Sequence, residues 1–121
     1  MSNRDINLYF ADILESIEAI NDFTKGYDFA SFVSDRKTYS ATLREFIVIG
    51  EAIAHIPEEI RAGFPDVAWR LIKDFRNFIV HEYFGIDPEI VWDAVEKELP
   101  VLLKEVAKLQ ANLVGSSSSS L

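Results

Sequence analysis

Cysteine is absent from this 121-residue chain, which excludes a disulfide framework and any thiolate metal site. Histidine occurs only at His55 and His81. Glu51 and His55 stand four apart, a spacing that can grip a metal. No second such pair accompanies them, so neither a metal nor a cofactor is expected. No apolar run approaches the roughly 20 residues needed to span a bilayer. The opening Met-Ser-Asn-Arg-Asp does not lead from a basic stretch into an apolar one, so no signal peptide is expected. The expectation is a soluble, cytoplasmic chain, and the missing cysteine fits a reducing compartment. Alternation at period two is lacking over any length that would suggest a sheet. Basic residues are also scarce, 12 against 20 acidic, for a formal charge of −8. Such a chain does not gather polyanions non-specifically; contact with a nucleic acid would need a local basic patch or a partner.

Bulky apolar residues, by contrast, are plentiful. Nine Phe, four Tyr and two Trp supply core material, and the length suits one domain with one core. Ile6, Tyr9, Phe10, Ile13, Leu14, Ile17 and Ile20 recur at the three-four rhythm of a core-facing helix, about 4–24. Ser2-x-x-Asp5 resembles its capping box and Gly26 ends it. A short helical piece over 29–33 contributes Phe29, Phe32 and Val33. Asp35 then caps a long helix over 36–55. Gly50, in its middle, costs about 1 kcal/mol relative to Ala and points to close approach by another helix. After a short turn from Pro57 to Pro65, Asp66 or a neighbour opens a fourth helix carrying Trp69, Ile72, Phe75 and Ile79. Gly85 is expected to close that helix in a left-handed conformation.

Asp87-Pro88 begins a fifth helix, with Asp at the cap and Pro at the first helical position. Val95, Leu99, Leu102, Val106, Leu109 and Leu113 form its near-heptad stripe, and Pro100 should kink or split it. Trp69 and Trp92 read as core or interface anchors. The pattern predicts an all-α bundle over residues 1–114, followed by a Ser-rich, disordered tail over 115–121.

One segment breaks the apolar pattern with chemistry: Arg76-Asn77-Phe78-Ile79-Val80-His81-Glu82-Tyr83. It supplies a fixed cation, an amide, a titratable base and a phenol within about two helical turns. Asn77 and His81, four apart, share one stripe, whereas Arg76 and Tyr83, seven apart, share another. Arg76 and His81 point in different directions. The guanidinium must therefore reach around the helix, or a second copy of the motif must complete the site. Such a set suits a phosphodiester, with Arg on a non-bridging oxygen and His transferring a proton. Arg70 and Lys73 lead into the motif at three-residue spacing and make with Arg76 the one candidate basic patch for RNA.

The string Arg-Asn-x3-His-x-Tyr-Phe resembles the signature of HEPN-domain proteins of the HepT type. Trp69-Arg70-Leu71-Ile72 before it and Phe84-Gly85-Ile86-Asp87 after it extend the likeness. So do Ile49-Gly50-Glu51-Ala52 and Val91-Trp92, so that the resemblance covers most of residues 1–113. It implies a dimeric HEPN-type helical bundle of about five helices. It also implies a metal-independent endoribonuclease in which Arg76 and His81 carry cleavage by the ribose 2′-hydroxyl, supported by Asn77. In that family the protein is the toxin of a type VII-like HepT/MntA toxin–antitoxin pair. The antitoxin, an MntA-type nucleotidyltransferase, silences it by attaching AMP to the tyrosine matching Tyr83. The alternative is a non-catalytic module that docks a nucleotidyltransferase or a nucleotide through the same polar cleft. Many relatives carry a small residue two places before the motif Arg, where this chain has Asp74; its carboxylate would either repel phosphate or orient Arg76.

Overall fold

Helix starts in this chain are set by side chains that take up orphaned backbone donors. The computed structural model describes residues 5–119, with side chains described through residue 112. Helix α1, Ile6–Thr24, is capped by Asp5, which accepts from the Asn7 N–H at 2.9 Å. Asp5 is thus the cap itself and not the third residue of a box led by Ser2, which lies outside the described residues. Gly26 ends this helix at φ +79°, a backbone conformation that residues with a Cβ rarely adopt. Helix α2, Phe29–Ser34, opens on a reciprocal Asp28/Ser31 box. It buries Phe32 alone: Phe29 and Val33 are exposed, because so short a helix offers only one face to the core.

Asp35 caps helix α3, Arg36–Ala54, accepting from the Thr38 N–H and hydroxyl and from the Tyr27 hydroxyl. The Tyr27 hydroxyl first, then Thr38, holds the Asp35 carboxyl below the usual carboxylate range. A short helix α4, Glu58–Ala62, follows Pro57. Helix α5, Trp69–His81, starts at Ala68 with no side-chain cap, so Asp66 does not open it. Its entry is fixed instead by the Trp69 indole, which donates to the Arg61 and Phe64 carbonyls, both at 3.0 Å.

The end of α5 also differs from expectation. The helix stops at His81, Glu82 turns the backbone to φ −132°, and Tyr83–Gly85 form a 3-10 turn. Gly85 donates to the Glu82 carbonyl at 2.8 Å and is not left-handed, since Gly26 is the positive-φ glycine among the described residues. Tyr83 therefore leaves the helix and does not share a stripe with Arg76.

Helix α6, Pro88–Asp93, has Asp87 at the cap and Pro88 at the first position, as its sequence predicts. It runs through a π-helical turn, Ala94–Glu98, into α7, Leu99–Ser119. In that turn the Leu99 N–H reaches back to the Ala94 carbonyl. The wider turn sits directly before Pro100, where the ring would crowd the preceding turn, so helix α7 continues past the proline. Its backbone enters the Ser-rich segment as far as Ser119, while the Leu113 side chain and residues 120–121 lie outside the described residues.

Helix α3 packs between α1 and α5, and α7 closes on α1. Phe10, Ile13, Ile17 and Ile20 meet Leu43, Phe46, Ile49 and Ile53 in a core completed by Ile72, Ile79, Val91, Leu99, Leu102 and Val106. Each such side chain contributes about 1.5–3 kcal/mol by leaving water, far more than any surface pair here. Trp92 packs on Phe32 with ring centroids 4.9 Å apart. The expected all-α bundle is what forms, and no strand occurs among the described residues. No helix among them is long and apolar enough to cross a membrane.

Candidate active site

Packing of α3 on α5 places the motif. Gly50 is the contact point: a Cβ there would overlap Arg76 Cβ outright and stand 2.6 Å from its Cγ. The stem of Arg76 thus lies across the one position of α3 that has no side chain. The close approach expected at Gly50 is made by the motif arginine itself. Beyond Gly50 the guanidinium is held from two sides, Nη2 donating to Glu51 Oε1 at 2.8 Å and Nη1 to Asn77 Oδ1 at 2.7 Å. The Glu51 carboxylate is more than half exposed, so this pair adds little stability. Its effect is orientation, since a planar guanidinium with two fixed donors keeps one heading. Arg76 Nε is buried without a hydrogen-bond partner.

A groove of about 290 Å³ runs beside this guanidinium, lined by Gly50, Glu51, Ala54 and His55 from α3 and Lys73, Arg76 and Asn77 from α5. Of the three residues in the basic patch, the groove unites Lys73 and Arg76. Arg70 faces a different hollow, near α4, and lies 3.8 Å from Asp74 one turn along α5. Asp74 therefore pairs with Arg70, and the carboxylate that orients Arg76 is Glu51.

His81 is the last residue of α5, exposed and without a hydrogen bond or ion pair among the described residues. It shares the Asn77 stripe but does not line the Arg76 groove. Within one chain, then, Arg76 and His81 stay apart, as five residues of helix require. The Tyr83 hydroxyl donates to Ser40 Oγ at 3.1 Å, near the start of α3. Ser40 lies about 16 Å along the α3 axis from Glu51, so phenol and guanidinium are tied to opposite ends of the same helix. Phe84, 96% exposed, stacks edge-on against the Tyr83 ring. Burial first, then Tyr83 and Asp87, pushes the neighbouring Tyr39 phenol up.

Glu51 and Ser40 were not legible as partners of the motif. Glu51 had a signal, since it follows a mid-helix glycine that marks a contact and carries the charge a motif arginine seeks. Ser40 had none. Among the described residues no three His, Asp or Glu side chains group to hold a metal ion, and Glu51, half of the one pair at metal spacing, is engaged by Arg76.

The family described as "Ribonuclease HepT-like" is matched over residues 13–109. The chain belongs to the HepT-like ribonuclease family. This HepT-like chain is 36% identical over its full length, and the full length of the relative, to "Putative RNase MJ0127" of Methanocaldococcus jannaschii. It is 36% identical to "Probable ribonuclease HepT" of Thermococcus cleftensis over 102 residues, 84% of this chain and 93% of that protein. To "Putative RNase TTE0752" of Caldanaerobacter subterraneus it is 36% identical over 101 residues, 84% of this chain and 90% of the other. No solved structure matches the chain significantly. The match covers α3, α5 and the whole Arg76–Tyr83 segment.

Proposed function

We propose that this HepT-like chain is a homodimeric, metal-independent endoribonuclease, the toxin of a toxin–antitoxin pair, with Arg76 and His81 as its catalytic residues and Asn77 in support. The observation that carries this reading is the pre-set guanidinium. Glu51, Asn77 and Gly50 fix Arg76 at the edge of an open groove, where a phosphate oxygen can approach it. A donor already aimed at developing charge costs no reorganisation during reaction.

In cleavage the ribose 2′-oxygen attacks the adjacent phosphorus and its proton passes to a base. The P–O5′ bond breaks and the departing 5′-oxygen takes up a proton. Neutral His81 suits the first transfer. A protonated His81 from a second copy suits the last, which gives a dimer a chemical purpose. Arg76 neutralises charge on the phosphorane oxygens.

Exposed apolar side chains support pairing of two copies. Leu71, Phe78, Phe84 and Ile90 are each at least 46% exposed, and three of them border a 440 Å³ apolar hollow between α5 and α6. Apolar surface of this kind on the motif helix is covered most economically by a symmetric partner. The test is cleavage of a labelled RNA in excess chelator. Activity should persist and the 5′ fragment should end in a 2′,3′-cyclic phosphate. Loss of cleavage with chelator, restored by a divalent ion, would overturn the metal-free reaction.

Silencing is proposed to act at Tyr83. A partner nucleotidyltransferase of the MntA type would join the α-phosphate of ATP to Tyr83 Oη, with pyrophosphate leaving. The phenol must first give up its hydrogen bond to Ser40. The anchors of phenol and guanidinium, Ser40 and Glu51, stand about 16 Å apart along α3, so the released Tyr83 side chain must swing along the helix to bring its adduct to Arg76. The new anion would then occupy Arg76 and the space a substrate phosphate needs. Tyr83→Phe, which keeps the ring and removes the acceptor oxygen, should stay toxic in the presence of the partner, where the unaltered chain is neutralised. AMP found on another residue by mass spectrometry would contradict this assignment.

A further inference from the structure

The groove beside Arg76 contains a histidine, and it is His55, not His81. His55 also lines a second hollow of about 270 Å³ across α3, together with Tyr9, Asp12, Val48, Glu51 and Ala52. It stands where the two meet. Its imidazole lies flat on the Tyr9 ring, with centroids 4.5 Å apart and planes only 6° from parallel. One face of the imidazole is thus supported. His55 is exposed, and its other face has no ring partner among the described residues. A flat aromatic face, held rigid from behind and open in front, is what an unpaired nucleobase stacks on.

We infer that the Tyr9-backed face of His55 is the stacking platform for the nucleobase next to the phosphate held by Arg76. The inference rests on the ribonuclease reading and gives its substrate site a second contact. Spacing along α3 supports it. Glu51, which holds Arg76, and His55 are one helical turn apart, with Cβ atoms about 5–6 Å from each other. The platform therefore lies on the same face of α3, one turn beyond the carboxylate that holds Arg76.

Charge supports it too. Lys73 and Arg76 set two cations against the single Glu51 carboxylate in the Arg76 groove, locally reversing the sign of a chain whose formal charge is −8. The Tyr9 hollow adds an aromatic surface, which suits a base rather than a phosphate. The strand is thereby given a direction, with phosphate over Lys73 and Arg76 and base over His55. Stacking tolerates any base, so the platform adds affinity for single-stranded RNA without choosing its sequence.

The experiment measures binding of a fluorescein-labelled, eight-nucleotide single-stranded RNA of mixed sequence to the His81→Ala protein, in which cleavage does not consume the probe. Adding His55→Ala should weaken binding about tenfold, within the range measured for loss of one stacked base. His55→Phe, which restores a flat ring, should recover most of that loss. His55→Ala loses the Tyr9 contact and should lower the melting temperature by no more than a few degrees, whereas His55→Phe should keep it; native folding of both is checked first. Equal binding by His81→Ala and its His55→Ala derivative would overturn the platform and leave the ribonuclease reading intact. Binding by His55→Phe as weak as by His55→Ala would also overturn it, because imidazole charge or hydrogen bonding would then be responsible. An unaltered protein that cleaves no RNA, with a His81→Ala form that binds none, would remove the ribonuclease reading and the platform with it.

Discussion

His81→Ala should lower RNA cleavage by about 10²–10⁴-fold, the range that a positioned general acid or base contributes. The same substitution should leave the melting temperature nearly unchanged. His81 is exposed at the last position of α5 and makes no hydrogen bond or ion pair among the described residues, so its removal takes away no folded-state contact. That separation makes the result informative, because a loss of rate cannot then be traced to a loss of structure. Rates and thermal unfolding measured on one preparation check it. A His81→Ala protein that cleaves within threefold of the unaltered chain would remove His81 from the reaction.

Gly50→Ala should damage both stability and rate through one contact. In a free helix, alanine would gain about 1 kcal/mol over glycine. Here the added Cβ would overlap Arg76 Cβ, an atom fixed to the α5 backbone and unable to swing away. Helices α3 and α5 must separate or the Arg76 stem must move, and overpacking of this kind costs about 1–3 kcal/mol. The net result should be a melting temperature several degrees lower. Cleavage should fall by about 10²-fold, since a displacement of about 1 Å in a positioning group costs that much. Unchanged rate with lowered stability would mean that the Gly50 contact is structural only.

Much of the bundle was legible because its determinants are local. The stripes of α1 and α7, the Asp35 cap, the Asp87-Pro88 start and the end of α1 at Gly26 each depend on residues within a turn or two of one another. The failures have longer-range causes. Helix α5 begins at Trp69 because an indole ties it to carbonyls near α4, a bond between segments that overrides the cap chemistry of Asp66. It ends at His81, before Gly85, and Tyr83 is carried off the helix toward Ser40, 43 residues away in sequence. The break expected at Pro100 does occur but falls just upstream of the ring, in the π turn that divides α6 from α7.

At the site, the motif names Arg76, Asn77, His81 and Tyr83 from residues in one segment. Their supports come from α3, and only packing reveals them. Gly50 was the partial exception, since its propensity cost announced a close contact without saying with what. The grouping of His55 with Arg76 was invisible for the same reason. Twenty-one residues separate them, and they become neighbours only when α3 lies against α5.

Cleavage at this site should run through the ribose 2′-hydroxyl. The most direct measurement uses two otherwise identical RNA substrates, one carrying a single 2′-deoxy substitution immediately 5′ to the preferred cleavage position. Cleavage at that bond should disappear while cutting elsewhere in the strand continues at its usual rate. Cleavage of the deoxy-substituted bond at an undiminished rate would contradict it, since the attacking oxygen would then have to come from water.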